Sequence, residues 1–441
     1  MSLSLPMAPA RARRPKKGFA DRTTIWAIWA LVLCGVIREA LGQTLIASFG
    51  FYSLHIIDPP VFLAFLAIGA NLIDRPFAKA SYTLPILVIA TIILVNFGRG
   101  MEQNSALALL WFRSTAAIVV ILLLALVAKP ETAHRTMRNS LRVGAVLLSI
   151  LLIFRIPFGY SFLMTRAQED GILVNEGRLL SVVGAFLMLI ALSISLSEVL
   201  RSKRLRMNFD LFLVIALPII IKLTGQGTVM IAMIVSMAVI FILERGPYQI
   251  PRFFLGCAVG VIALLAQVAF GSLLSLGEDD AFLAQRAGNL HTRQIVWDAL
   301  METWPTQSAT NQFFGIPGGS SLDIFVNLNY NYGLWRNSVH SMYYGSLPIM
   351  GYVGLFFYIA LLAILLTICF AKLFTSSRKR ILPSSALACC IITIILSYSY
   401  EIRNEEVLAL FWPVILLRGL NSRTMPQTMS SSTPSSAITS V

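Results

Sequence analysis

Apolar residues gather in long blocks along this chain, separated by short polar stretches. The blocks fall at about 24–40, 55–72, 82–97, 105–128, 141–158, 173–197, 209–223, 226–243, 253–274, 343–371, 384–400 and 404–419. A helix needs about 20 apolar residues to cross the ~30 Å hydrocarbon layer of a bilayer, and most blocks approach that length. Lipid offers no hydrogen bonds to an open backbone, so such blocks are expected to be helical. The pattern predicts an all-α polytopic membrane protein of about twelve transmembrane helices. The one long polar stretch, 275–341, predicts a large outer (periplasmic) loop. The chain thus divides into a basic N-terminus (1–23), a bundle of helices 1–9 (24–274), the loop (275–341), a bundle of helices 10–12 (342–420) and a Ser/Thr-rich tail (421–441) expected to be disordered and cytoplasmic. The first block lacks a small-residue cleavage site, so it reads as a retained helix.

Charge orients the bundle. With the N-terminus inside, 24 of the 35 Lys and Arg fall on the inner side and ten on the outer side, while Arg113 sits within a block. This is the bias of the positive-inside rule, and it predicts both termini in the cytoplasm and a bacterial inner-membrane location. Acidic residues show the opposite bias, 15 of 21 falling outside, so the outer face is net acidic and any outer cation must act locally.

Composition sharpens the class. Hydrophobic residues make up 57% of the chain and charged residues 13%, too little charge to cover a soluble protein of this length. The net charge of +14 lies between apolar blocks and not on one polar domain, which argues against nucleic acid. Cys34, Cys257, Cys369, Cys389 and Cys390 sit in or beside apolar blocks without a C-x-x-C spacing, so they read as small buried hydrophobes. The four histidines, His55, His134, His291 and His340, are far apart, and no cluster has metal-ligand spacing.

The outer loop holds the candidate chemistry. Val296, Trp297, Leu300 and Trp304 have the spacing of one helical stripe, with Pro305 placed to end it, and Arg293 lies one turn before Trp297. The run 315–321, Gly-Ile-Pro-Gly-Gly-Ser-Ser, predicts a turn or a backbone nest open to an anion. The aromatic segment 328–341, with Trp335 and Arg336, suits the headgroup level or the apolar face of a sugar, and His340 stands just before the next block, where an imidazole can accept a proton near neutral pH. Asp298 and Glu302, four apart, would be weak support for a glycosidase. Several cations sit where charge is costly unless paired, hydrated or used: Arg113 and Arg155 inside blocks, Arg178 and Lys222 near outer helix ends, and Arg286 in the loop. Snorkelling is the plainer account for Arg178 and Lys222. A pyrophosphate would give such residues a task, because guanidinium binds phosphate oxygens in a fork.

Two stretches carry a family resemblance. Leu290-His291-Thr292-Arg293-Gln294-Ile295-Val296-Trp297 followed by Asn311-Gln312-Phe313-Phe314-Gly315-Ile316-Pro317-Gly318, and Val339-His340-Ser341-Met342 with Gly351-Tyr352-Val353-Gly354, resemble the O-antigen ligase and polymerase superfamily, which includes exopolysaccharide polymerases. The late outer loop matches in position. The likeness is sharp only over about 290–360. It departs at Ser341, where the family often has Asn, and at 223–228, where the family's Ser-Arg pair is missing.

The resemblance implies a glycosyltransferase that works outside the membrane without nucleotide, metal or other cofactor. Its donor would be a glycan on polyprenyl pyrophosphate and its acceptor a growing glycan or another glycan, with flippase and chain-length or export proteins as companions. His340 would deprotonate or orient the acceptor. Arg293 would stabilise the leaving pyrophosphate, helped by Arg178, Arg155, Arg286 and Lys222, with Trp297, Trp335 and Arg336 as further contacts. Polymerisation of repeat units, ligation of a finished glycan, and a flippase or secondary transporter are the competing readings. Transporters place their key polar residues near the midplane, and here the candidates collect on the outer side and in one asymmetric loop.

Overall fold

A computed structural model describes residues 18–41, 45–49, 52–74, 77, 80–158, 180–202, 209–224, 226–244, 293–320, 324–328, 331–335, 341–375, 383–400 and 407–421. Twelve helices appear among them: α1 (Phe19–Leu41), α2 (Asp58–Asp74), α3 (Thr83–Val127), α4 (Pro130–Phe158), α5 (Val182–Arg201), α6 (Phe209–Leu223), α7 (Gly227–Leu243), α8 (293–303), α9 (Ala309–Phe314), α10 (Met342–Thr375), α11 (Pro383–Ser399) and α12 (Leu408–Asn421). Two short antiparallel hairpins join helices, β1 (Leu45–Phe49) with β2 (Tyr52–His55) and β3 (Ile324–Leu328) with β4 (Asn331–Trp335), and leave the class all-α. Both lie between the long helices.

Five helices are long and apolar enough to cross a membrane, and six when the bent pair Ser105–Arg113 with Thr115–Val127 counts as one span. Four shorter apolar helices accompany them. The chain is therefore a multi-pass, helical membrane protein. The expectation of twelve crossings is finer than this: the block 253–274 lies outside the described residues, and several crossings would fall to helices of 14 to 17 residues.

The packing fits lipid. α5 is buried almost all round, as are α12 and the second half of α3. By contrast α4 exposes Leu147, Ile150 and Phe154, and α6 exposes Phe212, Ile215 and Ile219, each set spaced along one helical face. Apolar residues turned outward at that spacing suit hydrocarbon, not water. Cys34, Cys369, Cys389 and Cys390 are buried in this packing.

Polar contacts gather at two levels. At the proximal end, which holds the start of α1 and the end of α12, Asn71 donates to Thr24 Oγ1 (2.9 Å), Glu198 accepts from Arg138 (2.8 Å) and Arg142 (2.6 Å), and Arg142 pairs with Asp210. There too Glu244 pairs with Arg201 (3.0 Å) and accepts from Ser197 and Ser384, and Trp412 donates to Ser385 (3.0 Å). Arg418 donates to the carbonyls of Ala125 (2.8 Å) and Ala128 (2.6 Å) at the end of α3, and the start of α3 follows closely on the proximal end of α2 at Asp74. Both ends of α3 thus lie at the proximal end. A straight helix of 45 residues would span about 67 Å. α3 instead breaks at Ser105 (φ 23°, ψ −87°) and turns back, so that Phe97 and Phe112 stack 4.4 Å apart, and it bends again by 49° between Arg113 and Thr115.

At the distal end Arg155 is fully buried. It donates to Glu39 Oε1 (2.8 Å) and to the Glu39 carbonyl (2.6 Å). The same carboxylate accepts from the backbone N–H of Ser181 (3.0 Å) and from its hydroxyl, joining α1, α4 and the start of α5. Arg113 pairs with Asp58 (2.9 Å) at the start of α2. The charges of Arg113 and Arg155, costly by position, are therefore met by carboxylates and need no ligand. From Arg142 to Arg155 is about 20 Å along α4, and from Gln226 to Glu244 about 27 Å along α7, spacings that suit the two faces of a ~30 Å hydrocarbon layer.

Glu39→Ala leaves a buried guanidinium without its counter-charge and is expected to cost about 3–5 kcal/mol, whereas Glu39→Leu combined with Arg155→Met should recover most of that loss. Unfolding in mixed detergent micelles, followed for the single and double variants, measures both.

Candidate functional site

Five segments converge on the distal end of α11. Arg293, in the first described turn of α8, is half-buried; its Nη1 donates to the Ser399 carbonyl (3.1 Å) and its guanidinium lies 5.6 Å from the centre of the Tyr400 ring. The last carbonyls of a helix have no intrahelical donor, and the helix dipole is negative there, so a cation is well placed. Ser341, just before α10, donates to the Ser397 carbonyl (3.2 Å), and Tyr358 shares a hydrogen bond with the Ser397 hydroxyl (2.7 Å). At the start of α7, Gln226 accepts from the Tyr400 hydroxyl (3.4 Å) and donates to the Leu180 carbonyl (3.0 Å), one residue before Ser181. A line of polar contacts thus runs from Arg293 through Tyr400, Gln226 and Ser181 to the Glu39–Arg155 pair.

The stripe expected on α8 is present. Val296, Trp297, Leu300 and Trp304 are buried with Ile316 and Leu347, and the helix gives way to a 3₁₀ turn, Trp304–Thr306, at Pro305. Trp297 stacks face to face on Tyr344 (4.9 Å between centres) and meets Tyr398 edge-on (5.4 Å). Only 4% of Trp297 is exposed, against 51% of Tyr398, so the ring open to a ligand at this point is Tyr398. Asp298 and Glu302 are exposed on the opposite side of α8.

The glycine-rich run 315–320 is a strap packed between α3 and α10, not an open nest. The N–H groups of Gly315, Ile316, Gly318 and Ser320 go to the carbonyls of Asn311, Pro348, Asn96 and Pro317. α10 breaks at Gly351 (φ 63°), freeing carbonyls in the preceding turn; Ile316 N–H takes that of Pro348 (2.9 Å) and the Asn96 side chain that of Ile349 (2.9 Å). Arg99 ties the strap to α3 through Asn96 Oδ1 (2.8 Å), the Gly315 carbonyl (2.9 Å) and Asn311 Oδ1 (2.7 Å). A Cβ on Gly100 would run into the Gly318 carbonyl, so the approach needs glycine.

Of the residues singled out in the sequence, Arg293 and Trp297 lie at this convergence, Arg155 holds its scaffold, and Lys222 is exposed in the last turn of α6. Trp335 pairs with Ile324 at the open end of the β3–β4 hairpin. His340, Arg178, Arg286 and Arg336 lie outside the described residues. The sequence reading missed Tyr398, Tyr400, Asn96 and Arg99, and it met Gln226 and Asn311 only within the helix opening 223–228 and the family-like stretch. The Tyr398-Ser399-Tyr400 end of an apolar block, and the Gly98-Arg99-Gly100 interruption of another, were the available signals. Compared with known proteins, the chain matches no family model and no curated sequence.

Gly100→Ala should push the strap off α3. A cysteine placed at Ser320 should then react faster with a membrane-impermeant maleimide than the same cysteine on the wild-type background, while α8 stays protected.

Proposed function

We propose that this protein transfers a glycan from a polyprenyl pyrophosphate carrier to a glycan hydroxyl at the distal face, and that it polymerises repeat units of a surface or secreted polysaccharide. The observation that carries the reading is the setting of Arg293. It sits where α7, α8, α10 and α11 meet, held by a neutral carbonyl and an aromatic ring, and among the described residues no carboxylate neutralises it. Such a cation keeps N–H groups and net charge for an anion. Charge bias makes the proximal end cytoplasmic and the distal end periplasmic, with twelve crossings and both termini inside. Gln226 supports the reading from a second direction. The helix opening at which the resemblance expects a phosphate-binding pair meets Arg293 through Tyr400. Arg113, the residue that best fits a transporter, is paired with Asp58, which gives its charge a structural account.

In this reaction the acceptor hydroxyl oxygen bonds to the anomeric carbon of the donor sugar, and the bond from that carbon to the pyrophosphate oxygen breaks. His340, which precedes Ser341 in the chain, takes the hydroxyl proton. Arg293 holds the charge that gathers on the departing pyrophosphate, and Tyr398 offers its exposed ring to a sugar face. The carbon–oxygen bond energy is carried by the donor, so the protein supplies orientation and charge stabilisation. A ligase would use the same donor chemistry and differ only in its acceptor.

Purified protein supplied with a lipid-pyrophosphate-linked oligosaccharide and no nucleotide should lengthen the glycan. One transfer to a different acceptor would make it a ligase, and movement across a vesicle membrane without bond formation would end both readings. Arg293→Ala should lower the rate by at least ~10²-fold, as loss of a transition-state donor does. His340→Ala should do the same with membrane insertion intact. Normal activity in both variants would overturn the assignment.

A further inference from the structure

A second distal cation stands apart from the Arg293 site. Arg99 lies one turn before the end of the first leg of α3, a candidate span that closes at Gln103. Its three protein bonds, to Asn96 Oδ1, Gly315 O and Asn311 Oδ1, all go to neutral oxygens. They use both N–H groups of Nη1 and one of Nη2, which leaves one Nη2 N–H and the Nε N–H for another acceptor. Among the described residues no carboxylate pairs with it; Glu102, three residues on, is exposed and forms no ion pair with it. Because Asn311 accepts through Oδ1, its amide N–H₂ is a further donor beside the guanidinium. The cradle therefore offers donors and positive charge and no negative charge of its own.

Its surroundings are apolar. Phe313 and Phe314, two and three residues after Asn311, are 53% and 44% exposed. Exposed aromatic rings beside a cation at a helix end are what the headgroup level of a membrane accommodates. We propose that Arg99 and Asn311 form a binding site for the phosphate of a membrane lipid, with Phe313 and Phe314 against its acyl or prenyl portion. The ligand chemistry is an anionic phosphate. The apolar flank is what favours a lipid over a free phosphate. The site also locks the strap, since the same guanidinium holds Gly315 and Asn311, so an occupied site and a seated strap favour one another. The inference does not depend on glycan transfer.

The reactivity of Arg99 itself reads the site. Full-length protein in phosphatidylcholine discs is treated with phenylglyoxal, and modification of Arg99 is followed by peptide mass spectrometry. Adding phosphatidylglycerol or polyprenyl phosphate to the discs should slow that modification by about tenfold, the effect of roughly 1.4 kcal/mol of binding. Inorganic pyrophosphate at the same phosphate concentration should protect far less. Asn311→Asp supplies an internal carboxylate that keeps the strap docked and pre-empts the ligand, so lipid should no longer change the rate in that variant. Equal rates with and without anionic lipid would overturn the site. Equal protection by pyrophosphate would overturn the lipid. Full lipid protection in Asn311→Asp would overturn the role of the Arg99–Asn311 pair.

Discussion

The buried pair of Glu39 and Arg155 is the constraint on which the distal end rests. Two charges withdrawn from both water and lipid are costly, and attraction offsets that cost only when the geometry is close and the remaining polar atoms are bonded. Here the carboxylate also takes the N–H and hydroxyl of Ser181, which fixes where α5 begins. The residue before it, Leu180, presents its carbonyl to Gln226, and Gln226 meets Tyr400 beneath Arg293. A change at Glu39 would therefore be felt at the candidate site without any contact to a substrate. An isolated apolar contact could not transmit position in this way, because hydrophobic burial has no preferred direction.

A second rule governs the same end. α3 breaks at Ser105 and α10 at Gly351. Open carbonyls at membrane depth are tolerated only where protein or water supplies donors. The strap 311–320 supplies them at α10, and Asn96 bridges the two helices by donating to Ile349 and to Phe314 while its backbone carbonyl accepts from Gly318. The two breaks and the strap form one unit, so none of them would be stable in this form alone.

What the sequence made legible follows from range. The apolar blocks and the α8 stripe are local patterns with a fixed period, and the helices and the burial of Val296, Trp297, Leu300 and Trp304 agree with them. The fold-back of α3 was visible as two blocks with Arg99 between them. The partner of Arg155 was not visible, because Glu39 lies 116 residues away and looks like an ordinary outer-turn acid. For the same reason the run 315–321 left a turn and an open nest as alternatives; nothing local shows that N–H groups of 315–320 meet Pro348 and Asn96. Trp297 read as a ligand contact, since its period marks it as facing inward but not that Tyr344 covers its face.

Partner chemistry divides the distal arginines in a way that position alone does not. Arg113 and Arg155 meet carboxylates, which balance their charge inside the protein. Arg99 and Arg293 meet carbonyl and amide oxygens and a ring, which orient the guanidinium and leave its charge in place. A protein gains little by orienting an unbalanced cation unless something outside it brings the balancing charge, because burial of charge opposes the arrangement. Salt screening limits the reach of two such cations, so they attract anions only at short range. That favours ligands delivered along the membrane, where an apolar tail confines the phosphate to the headgroup level.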